Sequence, residues 1–427
     1  MLTQNVLPFK LASTTETLTS QAGLILLGEF LHAIRLGELV DAALPKPGSA
    51  RGYAPSSYVV PMLLMLHGGG RSLEDIRPVR DDEGLRRLLP FDRIPSTDAM
   101  GDWLRRMGEN QGLDGLGQVN RALLQRILRE DKHSGYTLDI DATQIIAEKK
   151  AARFTYKGER GYMPMVGHLA ENALVVSDEF REGNESPGAR NLAFMQHCAE
   201  QLPAGKKIHA VRADSAAYQA SVFNWCEEKE IRFAIGADLD RAVKALIAAL
   251  PDDAWEPYCG AYIAETVHCM NHTKKAFRLI VVRHPVQTDL LDPSESPYRY
   301  SVIASNRQES KTDVMDWYRQ RGDASENRIK DLKIGFAMER LPCGQTLANA
   351  VFFRLGVLAY NVFVMFKRLA LDDTWQHHQV QTVRWRLYQT AAKVVRHAGA
   401  LYLKVRESLL ETMQAIRERC ARVAVTT

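Results

Sequence analysis

The segment GYTLDIDAT, residues 135–143, is where the hydrophobic pattern of the chain changes from that of helices to that of strands. Apolar and polar residues alternate from Tyr136 to Ile140, which is typical of a β-strand, and Asp141 follows directly. Because alternate residues share a face of a strand, Asp139 and Asp141 are predicted to point the same way. The segment therefore predicts a strand that ends in acidic side chains.

Strand and helix patterns alternate after this segment. A second acid, Asp214, follows the apolar run Ile208–Ala213 in the sequence AVRADSAAY. Strands that first form a hairpin and then alternate with helices predict a mixed α/β sheet. The further strand patterns cover residues 163–170, 173–176 and 232–236, and the helical patterns cover residues 189–201 and 218–229.

Residues 240–300 interrupt this alternation. A helical pattern at residues 242–250 is followed by strand patterns with polar turns between them. These strand patterns cover residues 262–269, 276–282 and 298–304, and the last of them can already rejoin the main sheet. We interpret most of this stretch as a β-rich insertion.

The regions on either side are predicted to be mainly helical. Residues 1–130 contain short apolar helices separated by Gly and Pro turns, a pattern shared by helix-turn-helix DNA modules and by plain helical bundles. Ser72 is a candidate N-cap in this region. Near the C-terminus, residues 383–387 and 401–405 alternate around Gly399 and predict a hairpin with one basic face, followed by an amphipathic helix.

The most apolar stretch, Thr346–Phe366, is long enough to cross a membrane. It contains Arg354, Asn349 and Asn361, and charge within such a segment is costly in lipid. We therefore expect a buried core helix and no membrane association.

Composition excludes few classes of protein. The chain has 427 residues, 46% of them hydrophobic and 25% charged, which is ordinary for a soluble protein of two or three domains. A net charge of +4 permits a nucleic-acid partner without requiring one. No phosphate-binding GxxxxGK[ST] loop is present. The six cysteines are scattered and no signal peptide is apparent, which predicts free thiols in a reducing cytoplasm.

A third acid lies in WYRQRGDASENRIKDLK, residues 317–333. This segment predicts a helix that carries Glu326 among cationic side chains, an arrangement suited to holding a metal ion beside a phosphate. Together with Asp141 and Asp214 it suggests two-metal phosphodiester chemistry, because Mg²⁺ prefers carboxylate oxygens. The alternative is that the aspartates are strand-end caps and the helix a solvated face. The residues expected beside Glu326 are Tyr318, Arg321, Lys330 and Lys333.

Three motifs resemble those of the DDE transposases of bacterial insertion sequences, in the cut-and-paste group whose catalytic domain carries a β-strand insertion. DIDAT resembles the first motif, an apolar strand ending in Asp-x-Thr, which selects Asp141 over Asp139. VRADSAAY resembles the second motif around Asp214. Four residues separate Arg321 from Glu326, where the family pattern usually has three. The residues that resemble the Tyr-Arg-Glu-Lys signature are Tyr318, Arg321, Glu326 and Lys333.

The resemblance covers roughly residues 137–366 and implies an RNase H-like mixed-sheet catalytic core. This core would be split by the β-rich insertion and flanked by helical regions. The implied organisation is residues 1–130 for recognition of DNA ends, 131–239 and 301–370 for the core, 240–300 for the insertion, and 371–427 for a hairpin and helix.

The resemblance also implies Mg²⁺-dependent cleavage at transposon ends, followed by strand transfer to target DNA. Asp141, Asp214 and Glu326 would bind two Mg²⁺ ions, for which Mn²⁺ can substitute. The partner would be double-stranded DNA, both terminal inverted repeats and target, in the cytoplasm of a bacterium at its nucleoid. Since two ends have to be joined, a homodimer is expected in the synaptic complex.

Two sets of DNA contacts are expected. The first set, Tyr318, Arg321, Lys330 and Lys333, would lie near the cut, where arginine offers a bidentate fork and lysine a point charge for phosphate. The second set follows the first aspartate and would track a DNA backbone, with a solvated loop as the alternative. Its members are Lys149, Lys150 and Arg153.

Three further alternatives stay open. A metal-dependent nuclease without strand transfer would use the same acids. A non-catalytic DNA-binding derivative of a transposase is disfavoured because all three candidate acids are present. Within the insertion, Trp255 could stack on a flipped base, although packing is the commoner role of a tryptophan.

Overall fold

A nine-stranded mixed sheet is the centre of the fold in a computed structural model that describes residues 7, 9–49, 52–91, 93–286 and 297–426. The side chains of residues 323–326 and 426 lie outside this description. Helices from both ends of the chain pack around the sheet, and most of their buried apolar side chains join one continuous core with those of the strands.

Helices precede the sheet, as the sequence predicts for residues 1–130. Ser72 caps a short 3-10 helix, where the Asp75 carboxylate accepts a hydrogen bond from the Ser72 backbone at 2.9 Å. The elements are β1 (Thr17–Thr19), α1 (Ala22–Ala33), α2 (Leu36–Ala43), α3 (Ser56–Gly68), α4 (Arg77–Arg80), α5 (Glu83–Leu88), α6 (Thr97–Glu109) and α7 (Gly112–Arg129).

The first half of the sheet has the topology expected of the RNase H-like core. Strands β2, β6 and β7 are consecutive antiparallel neighbours, and β8 and β9 then add parallel to β2, in the order β7-β6-β2-β8-β9. Their bounds are β2 (Gly135–Ala142), β6 (Met165–Leu169), β7 (Val175–Glu179), β8 (Lys207–Ala213) and β9 (Arg232–Gly236), with α8 (Asn191–Glu200) and α9 (Ala220–Glu228) as the connecting helices.

A small separate sheet follows β2 directly. Its strands have the order β3-β5-β4 and are joined antiparallel. The bounds are β3 (Ile145–Ile146), β4 (Arg153–Phe154) and β5 (Arg160–Tyr162). This small sheet therefore begins only a few residues after Asp141.

The predicted β-rich insertion consists of strands, and these strands extend the main sheet. After α10 (Arg241–Ala248), the chain forms β10 (Glu256–Tyr258), β11 (Ala261–His268), β12 (Phe277–Pro285) and β13 (Tyr298–Ser305). Strand β13 pairs antiparallel with β9, so the sheet continues as β9-β13-β12-β11-β10. This pairing satisfies backbone groups that β9 would otherwise leave open at an edge. Strand β13 crosses the expected boundary at residue 300.

Two long helices follow the insertion: α11 (Lys311–Lys330) and α12 (Thr346–Ala370), joined through a π-helical turn at residues 331–335. The prediction of a buried core helix is confirmed for α12. Its polar side chains are paired, since Arg354 lies 3.0 Å from Asp178 and the Asn361 side chain bonds both backbone groups of Val175. Among the described helices, only α12 is apolar and long enough to span a membrane. In its most apolar 18-residue stretch, 89% of the residues are buried inside the protein.

The C-terminal hairpin exists, but the expected first strand at residues 383–387 is wrong. Those residues form the end of α13 (Val380–Val383) and a π-helical turn, because the Arg384 guanidinium turns back to bond the α3 carbonyls of Leu66 and His67 at 3.1 and 2.8 Å. Gly399 does occupy the hairpin turn, with a φ of +81°. The actual elements are β14 (Ala392–His397), β15 (Ala400–Lys404) and α14 (Glu407–Thr426), with β14 also pairing to β1.

Candidate active site

Asp141 and Asp214 lie at the same end of two adjacent parallel strands. The register of β2 against β8 pairs Asp139 with Arg212, so Asp141 is level with Asp214, two residues further along each strand. Neighbouring strands lie about 4.8 Å apart. The fold therefore brings the first two predicted acids to one edge, as expected from two apolar strands that each stop at an acid.

Asp139 has a different environment from Asp141, although both lie on the same strand. The Asp139 side chain is fully buried, and both its oxygens accept hydrogen bonds from the Arg212 guanidinium at 2.8 Å. Arg212 also donates to the Trp317 carbonyl at 2.7 Å. Asp139 is thus held in a buried ion pair, whereas the Asp141 side chain is 23% exposed at the end of the strand.

The helix α11 packs across this end of the sheet and brings Arg321 to Asp141. The guanidinium Nη2 of Arg321 lies 3.2 Å from Oδ1 of Asp141 and donates to the Ile140 carbonyl at 3.1 Å. A bidentate cation at this place can move between a carboxylate and a phosphate, since guanidinium binds both.

Tyr318 enters the same site from the preceding turn of α11. Burial raises the pKa of its hydroxyl, Arg321 opposes this, and the charges of Asp214 and Asp141 add to the rise. The hydroxyl approaches Gly236 at the end of β9, where an added Cβ would stand 3.3 Å from it and 2.9 Å from the Ser215 nitrogen. A side chain at position 236 would therefore crowd both the Asp214–Ser215 backbone and the Tyr318 hydroxyl.

Lys333 reaches the site, but not along a regular α-helix. Seven positions separate Lys333 from Glu326, which would be about two turns of a regular α-helix, but α11 ends at Lys330 and a wider π-helical turn follows. The Lys333 Nζ donates to the Gln144 carbonyl at 2.8 Å, just beyond β2. Burial lowers the pKa of this lysine, and Asp141 is among the charges that oppose the shift. Lys330 is exposed at the end of the helix.

The backbone of Glu326 lies in α11, five residues beyond Arg321, but its side chain is outside the described residues. Its role as the third acid stays a prediction. Among the side chains that are described, no group of three or more His, Cys, Asp or Glu residues is gathered as a metal site.

The second set of predicted DNA contacts lies at the small sheet β3-β5-β4, with Arg153 on β4 and the two lysines in the loop between β3 and β4. Lys150 and Arg153 are exposed and Lys149 is partly so, and the Arg153 guanidinium lies 3.9 Å from the Glu182 carboxylate. This surface is connected to the site, because the Gln144 side chain donates to the Thr155 hydroxyl at 2.9 Å while its carbonyl accepts from Lys333.

Sequence reasoning missed Arg212, Gly236 and Gln144. The sequence does contain a signal for Arg212. Arg212 lies two residues before Asp214, just as Asp139 lies two residues before Asp141. If the two strands are parallel neighbours with the acids level, this equal spacing places Arg212 beside Asp139. Gly236 ends an apolar strand pattern, as the two aspartates do, but it has no functional side chain that would make it a candidate site residue.

Comparison with known proteins agrees with the motifs. A solved structure that resembles the chain is described as the cryo-EM structure of a piggyBac transposase synaptic complex with hairpin DNA. The match has 9% sequence identity and a TM-score of 0.47, and covers 86% of this chain and 79% of that one. No curated protein sequence matches. A family profile described as transposase DDE domain group 1 matches residues 5–423, and the chain therefore belongs to this family of DDE transposases.

Proposed function

We propose that this transposase cuts the ends of a bacterial insertion sequence and joins the freed 3′ ends to target DNA by a two-metal mechanism. Asp141, Asp214 and Glu326 are the proposed metal ligands. The observation that carries the proposal is the placement of Asp141 and Asp214 at one sheet edge, with Arg321 from α11 against them.

The chemistry of Asp141 and Asp214 suits divalent Mg²⁺ or Mn²⁺ ions, with Glu326 proposed as the third ligand. Carboxylate oxygens are the ligands that these hard cations prefer, and partial exposure of Asp141 leaves room for the waters that Mg²⁺ retains. Oδ1 of Asp214 accepts a hydrogen bond from the Ala216 nitrogen at 3.1 Å, which orients the carboxylate. Arg321 already balances the charge of Asp141 from one side.

Each reaction exchanges one bond at phosphorus. In the first, water attacks the phosphodiester, the bond to the 3′ oxygen breaks, and that oxygen leaves as a 3′-hydroxyl. In the second, the freed 3′-hydroxyl attacks a target phosphodiester: a bond from its oxygen to phosphorus forms, the bond to the target's 3′ oxygen breaks, and that oxygen leaves as a 3′-hydroxyl. Bound divalent ions would activate the attacking oxygen and stabilise the leaving one.

The cationic side chains have separate roles in this proposal. Arg321 takes a non-bridging pair of phosphate oxygens through its fork, while Lys333 supplies a point charge from the Gln144 side. Tyr318 keeps its proton at neutral pH, since tyrosine ordinarily has a pKa of about 10 and burial raises it further, and so acts as a hydrogen-bond donor to phosphate. Lys330 would contact the DNA backbone further from the cleaved phosphodiester.

The proposed partner is double-stranded DNA, bound by a homodimer that holds two transposon ends. Residues 1–130 would recognise these ends. Their helices α3, α6 and α7 pack against α12, so an end bound there would be held at a fixed position relative to the acids. We place the reaction in the bacterial cytoplasm at the nucleoid, where the six free cysteines would stay reduced.

A strand-transfer assay tests the proposal. Precleaved duplexes carrying the terminal repeat, with a 3′-hydroxyl or a 3′-deoxy end, are incubated with a supercoiled target plasmid and Mg²⁺. We expect joined products from the hydroxyl end alone. Hydrolysis of an uncut end without any joining would overturn the transposase mechanism and leave a nuclease.

Lys150→Gln is expected to weaken DNA binding to the same extent for all sequences. Loss of one phosphate contact makes the fall of log K with log salt concentration less steep, by about 1 unit of slope. Binding titrations between low and physiological salt measure this slope. Lys229→Gln is the matched control, because Lys229 is also exposed but precedes β9, at the end of the strand opposite Gly236. An unchanged slope for Lys150→Gln would remove this residue from the DNA-binding surface.

A further inference from the structure

We propose that the small sheet beside the acids carries a stacking platform for unpaired bases at the cut DNA end. The platform consists of the rings of Phe154 and Tyr156 with the cations Lys157 and Arg160. It rests on the proposed function above, because it assigns the position of the substrate at that site. Its ligand is single-stranded DNA continuous with the duplex end.

The rings of Phe154 and Tyr156 are both open to solvent. Phe154 is 60% exposed and Tyr156 is 67% exposed, while Thr155 between them is buried at 5%. Phe154 ends β4 and Tyr156 begins the turn that follows, so both rings lie where the small sheet meets solvent. Two large aromatic side chains presented together at the surface mark a contact site more often than isolated exposed residues do.

Each ring has its own cation. The Arg160 guanidinium lies 5.1 Å from the centroid of the Phe154 ring, and the Lys157 ammonium lies 5.6 Å from that of Tyr156. Residues 144–162 contain five lysines and arginines and two glutamates. The positive charge complements a nucleic-acid backbone, and aromatic rings among cations are the means by which proteins bind unpaired bases.

Hydrogen bonds hold the platform beside the acids. The Thr155 hydroxyl accepts from the Gln144 side chain at 2.9 Å, and the Gln144 carbonyl accepts from Lys333 at 2.8 Å. The charge of Lys157 is also near enough to help lower the pKa of Lys333. Phe154 and Tyr156 flank Thr155 in the chain, so a strand whose phosphate meets Lys333 can place its next bases on them.

The aromatic of the insertion is less suited to this role. Trp255 is partly buried and packs against the hydrophobic core, so only part of its ring faces solvent. Phe154 and Tyr156 are exposed and offer more ring surface to a base. The platform therefore replaces Trp255 as the place where a base stacks.

The test compares a blunt duplex with the same duplex carrying a three-nucleotide single-stranded overhang, both without divalent metal. We expect the double variant Phe154→Ala/Tyr156→Ala to lose about tenfold or more in affinity for the overhang DNA, because stacking contributes at least this much over two bases. Affinity for the blunt duplex should change less than about twofold on the same argument. Phe9→Ala is the matched control, since Phe9 is also 60% exposed.

A second readout reports stacking itself. With 2-aminopurine in the overhang, binding of the unaltered protein should quench its fluorescence, and binding of the double variant should not. Equal losses on both DNAs, or quenching that survives the double substitution, would overturn the platform.

The overhang assay is independent of cleavage. Asp214→Ala should keep the preference for the overhang while losing DNA cutting. If Asp214→Ala cut DNA normally, the proposed catalytic site would fail, and the platform would still be judged by its own binding result.

Discussion

Asp214→Ala is expected to lower the rate of Mg²⁺-dependent DNA cleavage by more than about 100-fold, since mutating even the supports of metal ligands typically costs 10- to 100-fold. Asp214 would be a ligand itself, placed level with Asp141 by the parallel register of β2 and β8. DNA affinity without metal should stay within about threefold, because phosphate contacts supply most of the binding. Single-turnover cleavage of end-labelled DNA measures the effect.

Two controls separate catalysis from folding. Asp214→Asn keeps an acceptor for the Ala216 nitrogen but removes the charge, so it should be folded and nearly inactive. Asp240→Ala removes a comparable aspartate cap, on the Val243 nitrogen at 2.8 Å, and should keep full activity. We expect the same loss for Asp141→Ala and Glu326→Ala. If any of these acid variants retained Mg²⁺-dependent cutting within a few fold, that residue would not be a ligand.

Asp139→Ala is expected to destabilise the protein by about 3–5 kcal/mol, the usual cost of leaving one partner of a buried ion pair uncompensated. Arg212 would remain 3% exposed with no carboxylate against it, held only by the Trp317 carbonyl and the contact of its guanidinium with the Trp317 ring. Denaturant unfolding monitored by circular dichroism measures the free energy of unfolding.

The matched comparison is Asp141→Ala, only two residues away. Asp141 is 23% exposed, so its loss should cost much less free energy of unfolding than the loss of Asp139. The double variant Asp139→Leu/Arg212→Met removes both buried charges and should recover most of the stability lost in Asp139→Ala. Equal destabilisation by Asp139→Ala and Asp141→Ala would contradict the separation of a structural from a catalytic aspartate.

Much of the fold could be predicted from local patterns. The core strands carry apolar runs or alternation with a clear start and stop, so β2, β8 and β9 appear where the sequence predicts them. The insertion was also predicted as strands. The sequence also indicates that the last of these strands can rejoin the main sheet, as β13 does, but it does not identify β9 as the partner, because edge pairing depends on contacts between segments that are distant in sequence.

Two features near the C-terminal side of the site differ from what local sequence periodicity predicts. The alternation at residues 383–387 predicts a strand, but Arg384 instead bonds the end of α3, more than 300 positions earlier in the chain. The spacing from Glu326 to Lys333 predicts two regular turns, but the helix widens after Lys330. Local periodicity does not report such long-range hydrogen bonds or changes of helical pitch.

In the candidate site, too, some residues could be identified from local sequence and others could not. Motifs identified Asp141, Asp214, Tyr318 and Arg321, which the fold brings to one place. The buried pair of Asp139 with Arg212 depends on the register between β2 and β8, and the sequence of either strand alone does not define it.

Metal rescue of cysteine variants tests most directly whether Asp141 and Asp214 bind the catalytic ions. Mg²⁺ binds thiolate poorly, whereas softer ions such as Mn²⁺ accept it more readily. Asp141→Cys and Asp214→Cys should therefore fail to cut DNA in Mg²⁺ and regain cutting in Mn²⁺, while the alanine variants stay inactive in both. Cutting by either cysteine variant in Mg²⁺ at the rate of the unaltered protein would contradict the two-metal site.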